Sequence, residues 1–343
     1  AAGAVFSPWL LDIMSVPEEV RTGSLIYCRI YFGGIWAMIL YNMMAGVLRA
    51  FGDSKKPLYV LVVCSVVNIV ADLILVGLLH TGVGGAAAAT VLSQIVSVVL
   101  TAYFLVKSDF LEEKIGIRTM RICKEHMGMM INKGFPLALQ SMLFPIANSI
   151  VQASINTMGT DSIAAWGICD KLDLLIWLIA DSMGPVLTTY TAQNLGAGKA
   201  KRVKKGALIG TGLSVIAVGI ISIVLYFGSG LIGPLFIDQK DVPTLISLVI
   251  RYMQMMAPFF VFYAVAAALS GACSGLGETL VSMVTTLLTI CLFRVVCILV
   301  VLPSFETMEC IVWIYIGSWI VSGVTFTILY LAKVEKFYHK KSK

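Results

Sequence analysis

Asn68 and Asp72 stand four residues apart inside an otherwise apolar run, so both project from one face of a helix. Asp72 lies seven residues before the end of that run at Leu79, about 10 Å below it at helical rise. Thr90 lies seven residues into the next run, which opens at Val83 and returns from the same side, so it reaches a similar depth. A carboxylate, an amide and a hydroxyl can then converge on one point. Trading a proton, or holding a hard cation such as Na+ on oxygen ligands, requires such a point. A second polar set follows: Asp173, Trp177 and Asp181 recur at four-residue steps and share a helix face, with Lys171 beside them. A structural ion pair and an auxiliary cation and substrate site both fit that set. Arg294, in a later apolar run, is the expected partner of Asp173 or Asp181, because an unpaired buried charge is costly. Asn42 and Gln94 complete the auxiliary candidates. Charges within spanning segments are expensive, and they face a cavity or a partner.

The elements that carry these residues are long apolar windows: 25–48, 57–79, 83–106, 134–156, 163–192, 207–227, 245–272, 279–302 and 311–331. Each has the ~20 residues that a bilayer-crossing helix needs. A tenth, shorter window covers 1–14 and lacks the basic flank of a signal peptide, so it reads as the outer end of a helix whose beginning is missing. Mean hydropathy is +0.92, and only 13% of residues are charged. A water-soluble fold of 343 residues could not hide that much apolar surface, and hydrocarbon demands that each segment satisfy its own backbone. The expected fold class is therefore all-α, a polytopic membrane protein.

The net charge of +6 is not a nucleic-acid signal, because position explains it. Alternate loops hold Arg49, Lys55 and Lys56, then Lys107 to Lys133, then Lys199 to Lys205, and finally the tail from Lys333. The opposite loops hold Arg21, Lys240 and Arg251 among seven carboxylates. By the positive-inside rule the basic loops and the C-terminus are expected to be cytoplasmic, in a plasma (inner) membrane. The eight cysteines are scattered singly and read as small core hydrophobes. No enzyme signature occurs. The string NLGAGKAKR lacks the spacer and the hydroxyl residue of a phosphate loop, and it reads as a basic turn at the membrane surface. Met and aromatic residues gather in 252–263 and 32–44, as core packing or as the soft walls of a pocket for apolar cations. Pro145, Pro185 and Pro258 are candidate bending points.

The linker 107–133 is expected to separate an N-terminal lobe (1–106) from a C-terminal lobe (134–332), with a basic tail at 333–343. Ile115, Met120, Ile122, Met127 and Met130 suit an amphipathic helix on the membrane surface within that linker. A shift of 225 positions lays Tyr27 on Tyr252, Gly46 on Gly271, Gly52 on Gly277 and Asp53 on Glu278, which suggests a parallel repeat.

The run LYNMMAGVLRAFGDSKKPLYVLVVCSVVNIVADLILV resembles the fourth and fifth helices of the multidrug and toxic compound extrusion (MATE) family. VGGAAAATVLSQ resembles the start of its sixth. AAWGICDKLDLLIW and TTYTAQNLGAGKAKRVKKG resemble its eighth helix and the basic loop after it. These motifs keep family order across nearly the whole chain. The resemblance implies two pseudo-symmetric six-helix bundles, with helices 1, 2 and most of 3 absent from this sequence.

It also implies export of organic cations or drugs, driven by inward H+ or Na+, in a monomer whose lobes rock around a central cavity, with no cofactor beyond the coupling ion. Asn68, Asp72 and Thr90 match the family's N-lobe cation pattern, while the family's further Asp on helix 1 lies outside the chain. Lys171 and Asp173 match its helix-8 pattern. Many relatives carry acids in helices 7 and 10, but windows 134–156 and 245–272 hold none, and Phe144 stands near the usual Glu. Two alternatives are a lipid-linked oligosaccharide flippase or polysaccharide exporter of the same superfamily, which would need a more basic cavity, and an inactive truncated remnant.

Overall fold

The computed structural model describes residues 2–13, 18–108, 123–236 and 242–341. Among them the regular structure is helical throughout. In order the helices are α1 (Ala2–Ile13), α2 (Glu18–Ala50), α3 (Lys55–Asp72), α4 (Gly82–Val106), α5 (Lys124–Ile155), α6 (Thr160–Leu172) and α7 (Leu174–Gly196). They continue with α8 (Ala200–Ile232), α9 (Val242–Met256), α10 (Phe260–Gly275), α11 (Thr279–Thr286), α12 (Phe293–Val300), α13 (Leu302–Phe305) and α14 (Met308–Lys341). Short π-helical turns at Leu73–Leu78 and Leu287–Leu292 extend α3 and join α11 to α12. Eight helical runs among the described residues are long and apolar enough to cross a membrane. Large side chains such as Leu231 (83% exposed) and Phe227 (78%) point outward, as only a lipid solvent allows. The chain is a multi-pass membrane protein.

Three expectations change in detail. The window 163–192 is not one helix: it breaks at Asp173, which ends α6 and opens α7. Asp is a poor interior helix residue, and the junction takes it. The helix expected from Gly134 opens at Lys124, so Met127 and Met130 belong to α5 rather than to a separate surface helix. Ile115, Met120 and Ile122 lie outside the described residues. Of the prolines, Pro145 and Pro185 sit inside continuous helices, while Pro258 occupies the 3-10 turn Ala257–Phe259 between α9 and α10.

The chain divides into two compact units, Ala1–Arg121 and Ile122–Lys343. In the first, α4 packs along both α2 and α3. In the second, α10 is central and packs against α7, α8 and α14. Tyr252, Met253, Met256 and Phe260 are buried in its core, so that part of the Met-aromatic stretch is packing.

Local structure repeats at the spacing of 225. Just past the end of α2 the Gly52 N–H bonds Arg49 O (3.0 Å) and the Asp53 N–H bonds Leu48 O (2.9 Å). Just past the end of α10 the Gly277 N–H bonds Ser274 O (2.9 Å) and the Glu278 N–H bonds Cys273 O (3.2 Å). Both glycines are left-handed, at φ 89° and 86°. This is the same glycine-terminated helix end twice. The buried seam of α4 (Ala89, Ser93, Ser97, Thr101, Leu105) maps onto Ile314, Ser318, Ser322, Phe326 and Tyr330 of α14, all buried. Around the turns the charges differ. Hydrogen bonds from the Lys56 side chain, and then from its backbone N–H, hold the Asp53 carboxyl below the usual carboxylate range. Glu278 instead pairs with Lys333 of α14 at 2.9 Å, and Lys133 of α5 donates to Gly277 O. Alanine at either glycine is expected to cost about 1–2 kcal/mol for its left-handed backbone. Gly277→Ala should cost more than Gly52→Ala, because its Cβ would meet Lys133 Nζ at 3.3 Å while that of Gly52 meets nothing within 4 Å. Thermal melts of the two variants check the order.

NLGAGK proves to be a third such helix end. Gly198 (φ 74°) bonds Leu195 O at 3.0 Å, and the Lys199 N–H bonds Asn194 O at 2.8 Å.

Candidate cation and substrate sites

In the first unit, Asn68 and Asp72 lie on the last turns of α3, partly buried. The Asn68 Nδ2 and Asp72 Oδ1 atoms are fully buried, and neither has a hydrogen-bond partner. Immediately after Asp72 the backbone widens into the π turn, which Thr81 closes with its N–H (3.0 Å) and its hydroxyl (2.6 Å), both bonded to Leu75 O. Thr90 on α4 donates its hydroxyl to Ala86 O in its own helix (3.0 Å), which leaves its oxygen lone pairs free for other contacts. No hydrogen bond joins Asn68, Asp72 and Thr90. Asn42 is exposed on α2 and donates Nδ2 to Met38 O (2.8 Å). Gln94 is half-buried on α4, one turn beyond Thr90.

The second unit holds a cavity of ≈ 300 Å³. Its walls are aromatic (Phe144, Trp166, Trp177, Tyr263, Tyr315), and its polar groups are Asn148, Gln152, Asp170, Asp181 and Arg294. Arg294 is 2% exposed and sits just after the second π turn. Its Nε donates to Ser318 Oγ (2.9 Å) and its Nη1 to Asn148 Oδ1 (3.1 Å), and its guanidinium carbon lies 3.9 Å from the Tyr315 ring centre. Nη2 is buried without a partner. Asp181 accepts a 2.6 Å bond from the Tyr263 hydroxyl.

Arg294 therefore does not form the ion pair expected with Asp173 or Asp181: no carboxylate stands within 4 Å of it among the described residues. Amide, hydroxyl and aromatic groups take that place, the set that suits a flat, weakly hydrated guanidinium. Asp173 is 3% exposed at the α6–α7 junction, where its backbone carbonyl accepts the Trp177 N–H at 3.2 Å and its Oδ1 is buried and unpartnered. Lys171 points elsewhere, to the Phe236 ring at 5.7 Å. Of the helix-8 set, Trp177 and Asp181 join Arg294 at the cavity, and Asp173 and Lys171 do not line it. Asp170, a cavity residue that the spacing argument passed over, had a sequence signal: Trp166–Asp170 and Trp177–Asp181 share the spacing Trp-x-x-x-Asp.

Membrane-crossing helices with a repeated fold and isolated polar groups at depth define a transporter-like architecture. The MatE family profile matches residues 1–74 and 136–300, and the chain belongs to that family, one of transporters rather than enzymes. It is 30% identical over 245 residues to the probable multidrug resistance protein YoeA of Bacillus subtilis (70% of this chain, 53% of that one). It is 29% identical over 296 residues to YpnP of the same organism, also a probable multidrug resistance protein (86% and 65%). The chain thus spans between half and two thirds of those relatives. A MOP superfamily transporter of solved structure from Pyrococcus furiosus superposes with a TM-score of 0.89 at 19% identity, over 97% of this chain and 74% of that one. That likeness speaks for the fold.

Proposed function

We propose that the protein exports small organic cations across the plasma membrane in exchange for inward H+ or Na+, with Asp72, Asn68 and Thr90 taking the coupling ion. The observation that carries this reading is the pair of fully buried, partnerless polar atoms, Asn68 Nδ2 and Asp72 Oδ1. Helix-gluing residues in hydrocarbon normally find partners, because an unmet polar group there costs several kcal/mol. A carboxylate left open beside a π turn is poised to take a proton or a cation, and π turns recur at functional positions. Uptake of the ion changes what α3 and α4 can pack against, and binding of ion and cargo becomes competitive. The basic loops and the C-terminus face the cytoplasm on this reading. The cavity of the second unit, with two carboxylates against one Arg, suits cations better than the pyrophosphate of a lipid-linked sugar.

The test is ethidium efflux from a pump-deficient bacterial strain expressing the complete gene, under pH and Na+ gradients imposed separately. Efflux driven by one gradient is expected, and that gradient names the ion. Inserted protein with no efflux under either would overturn the export reading and favour lipid-linked oligosaccharide translocation.

A further inference from the structure

We infer that the cavity of the second unit binds a small zwitterion: an aromatic or flat molecule whose carboxylate meets Arg294 and whose ammonium meets Asp170 and Asp181. Arg294 is a fixed donor with one buried nitrogen left unpartnered. Ser318, Asn148 and the Tyr315 face hold Nε, Nη1 and the guanidinium plane, while Nη2 has no partner. A buried cation without a counter-charge is costly, and a bound anion supplies one. Planar guanidinium favours planar oxyanions. The carboxylates on the same walls select the rest of the ligand. Two of them against one Arg leave the cavity net negative, so a multiply charged phosphate is repelled, whereas a single carboxylate that brings its own ammonium is neutral overall. Trp177 and Tyr263, packed edge to face with ring centres 4.6 Å apart, give the body an aromatic wall, and ≈ 300 Å³ limits it to a small molecule. The halves of the repeat thus diverge in charge: the helix with Asn68 and Asp72 corresponds to the one with Arg294, and Thr90 corresponds to Tyr315.

This deepens the export reading by naming a cargo class and rests on it for the word cargo alone, since binding is measured without any gradient. Isothermal titration of the protein in lipid nanodiscs compares 4-(aminomethyl)benzoate with benzylamine and benzoate, each of which lacks one charged group. The zwitterion is expected to bind at least about tenfold more tightly than either single-charge probe. Arg294→Gln should bring it down to the affinity of benzylamine, and the double change Asp170→Asn with Asp181→Asn to that of benzoate. Benzylamine binding as tightly as the zwitterion, or no binding of any probe at millimolar concentration, overturns the inference. The probe series on the unmodified protein decides this even where Arg294→Gln fails to fold. Ethidium export without a zwitterion preference would sink this inference and leave the export reading standing.

Discussion

Asp72→Asn is expected to abolish gradient-driven efflux, about 100-fold or more, while leaving the protein as stable as before or more so. Asparagine keeps the volume and one acceptor oxygen of the side chain, but it can neither carry a proton nor offer a negative charge to a cation. The stability half follows from the same geometry. Asp72 Oδ1 is buried without a partner, so a neutral amide loses no ion pair or hydrogen bond at that atom. It also removes a charge whose placement within a spanning helix costs about 2.5–3.5 kcal/mol. A residue that merely glued helices together would behave in the opposite way, with its removal lowering the melting temperature and sparing efflux in whatever protein still folded. Ethidium efflux and a detergent melt on the same preparation therefore separate the two roles. Intact efflux, or lost efflux with a fall in melting temperature, would take the coupling role away from Asp72. Asn68→Leu should show a smaller loss, since it removes a neutral group from the same helix face.

The sequence and the structure agree wherever one-dimensional patterns carry the physics. Window length and hydropathy place eight of the nine expected spanning helices, all but 163–192, because hydrocarbon leaves the backbone no other solution. The 225-residue shift was legible from a few glycines and acids, and it recurs in the hydrogen bonds of the two helix ends. Partners across helices were much less legible. Arg294 finds Asn148, 146 residues away, and Ser318 and Tyr315 rather than a carboxylate, since no spacing rule says which face of α12 meets α5 or α14. Asp170 was passed over because its neighbour Asp173 matched a four-residue step with Trp177, although of these two carboxylates it is Asp170 that lines the cavity. The break at Asp173 hides in an apolar run that reads as continuous. Glycines likewise look equivalent until packed. Gly46 and Gly271 align in the repeat, yet a Cβ at Gly46 meets nothing within 4 Å, whereas one at Gly271 would stand 2.1 Å from Gly184 O.

That contact makes Gly271→Ala the substitution with the largest expected effect on stability. Gly271 and Gly275, four residues apart on α10, face Gly184 and Thr188, four apart on α7, in the small-residue pattern that lets two membrane helices touch backbone to backbone. The Thr188 hydroxyl stands 2.9 Å from both Gly184 O and Gly271 O, tying the crossing together. A methyl at 271 meets a carbonyl rather than the end of a flexible side chain, so relief requires the two helices to part. Parting them weakens the Thr188 bridge and opens the core around α10. The expected cost is about 2–3 kcal/mol, a fall in melting temperature of about 4–12 °C, with a larger fall for Gly271→Val. Gly275→Ala, whose Cβ would lie 2.6 Å from Thr188 O, should follow the same course. Gly212→Ala is the control. It lies within α8 with nothing within 4 Å of the added methyl, and alanine's helix propensity is about 1 kcal/mol better, so its melt should hold or rise. Because α7 also carries Trp177 and Asp181, and α10 carries Tyr263, separating the helices moves those cavity walls apart. Gly271→Ala should thus weaken ligand binding at the cavity even below its melting temperature. An unchanged melt would mean that α7 and α10 do not cross at the backbone contact described.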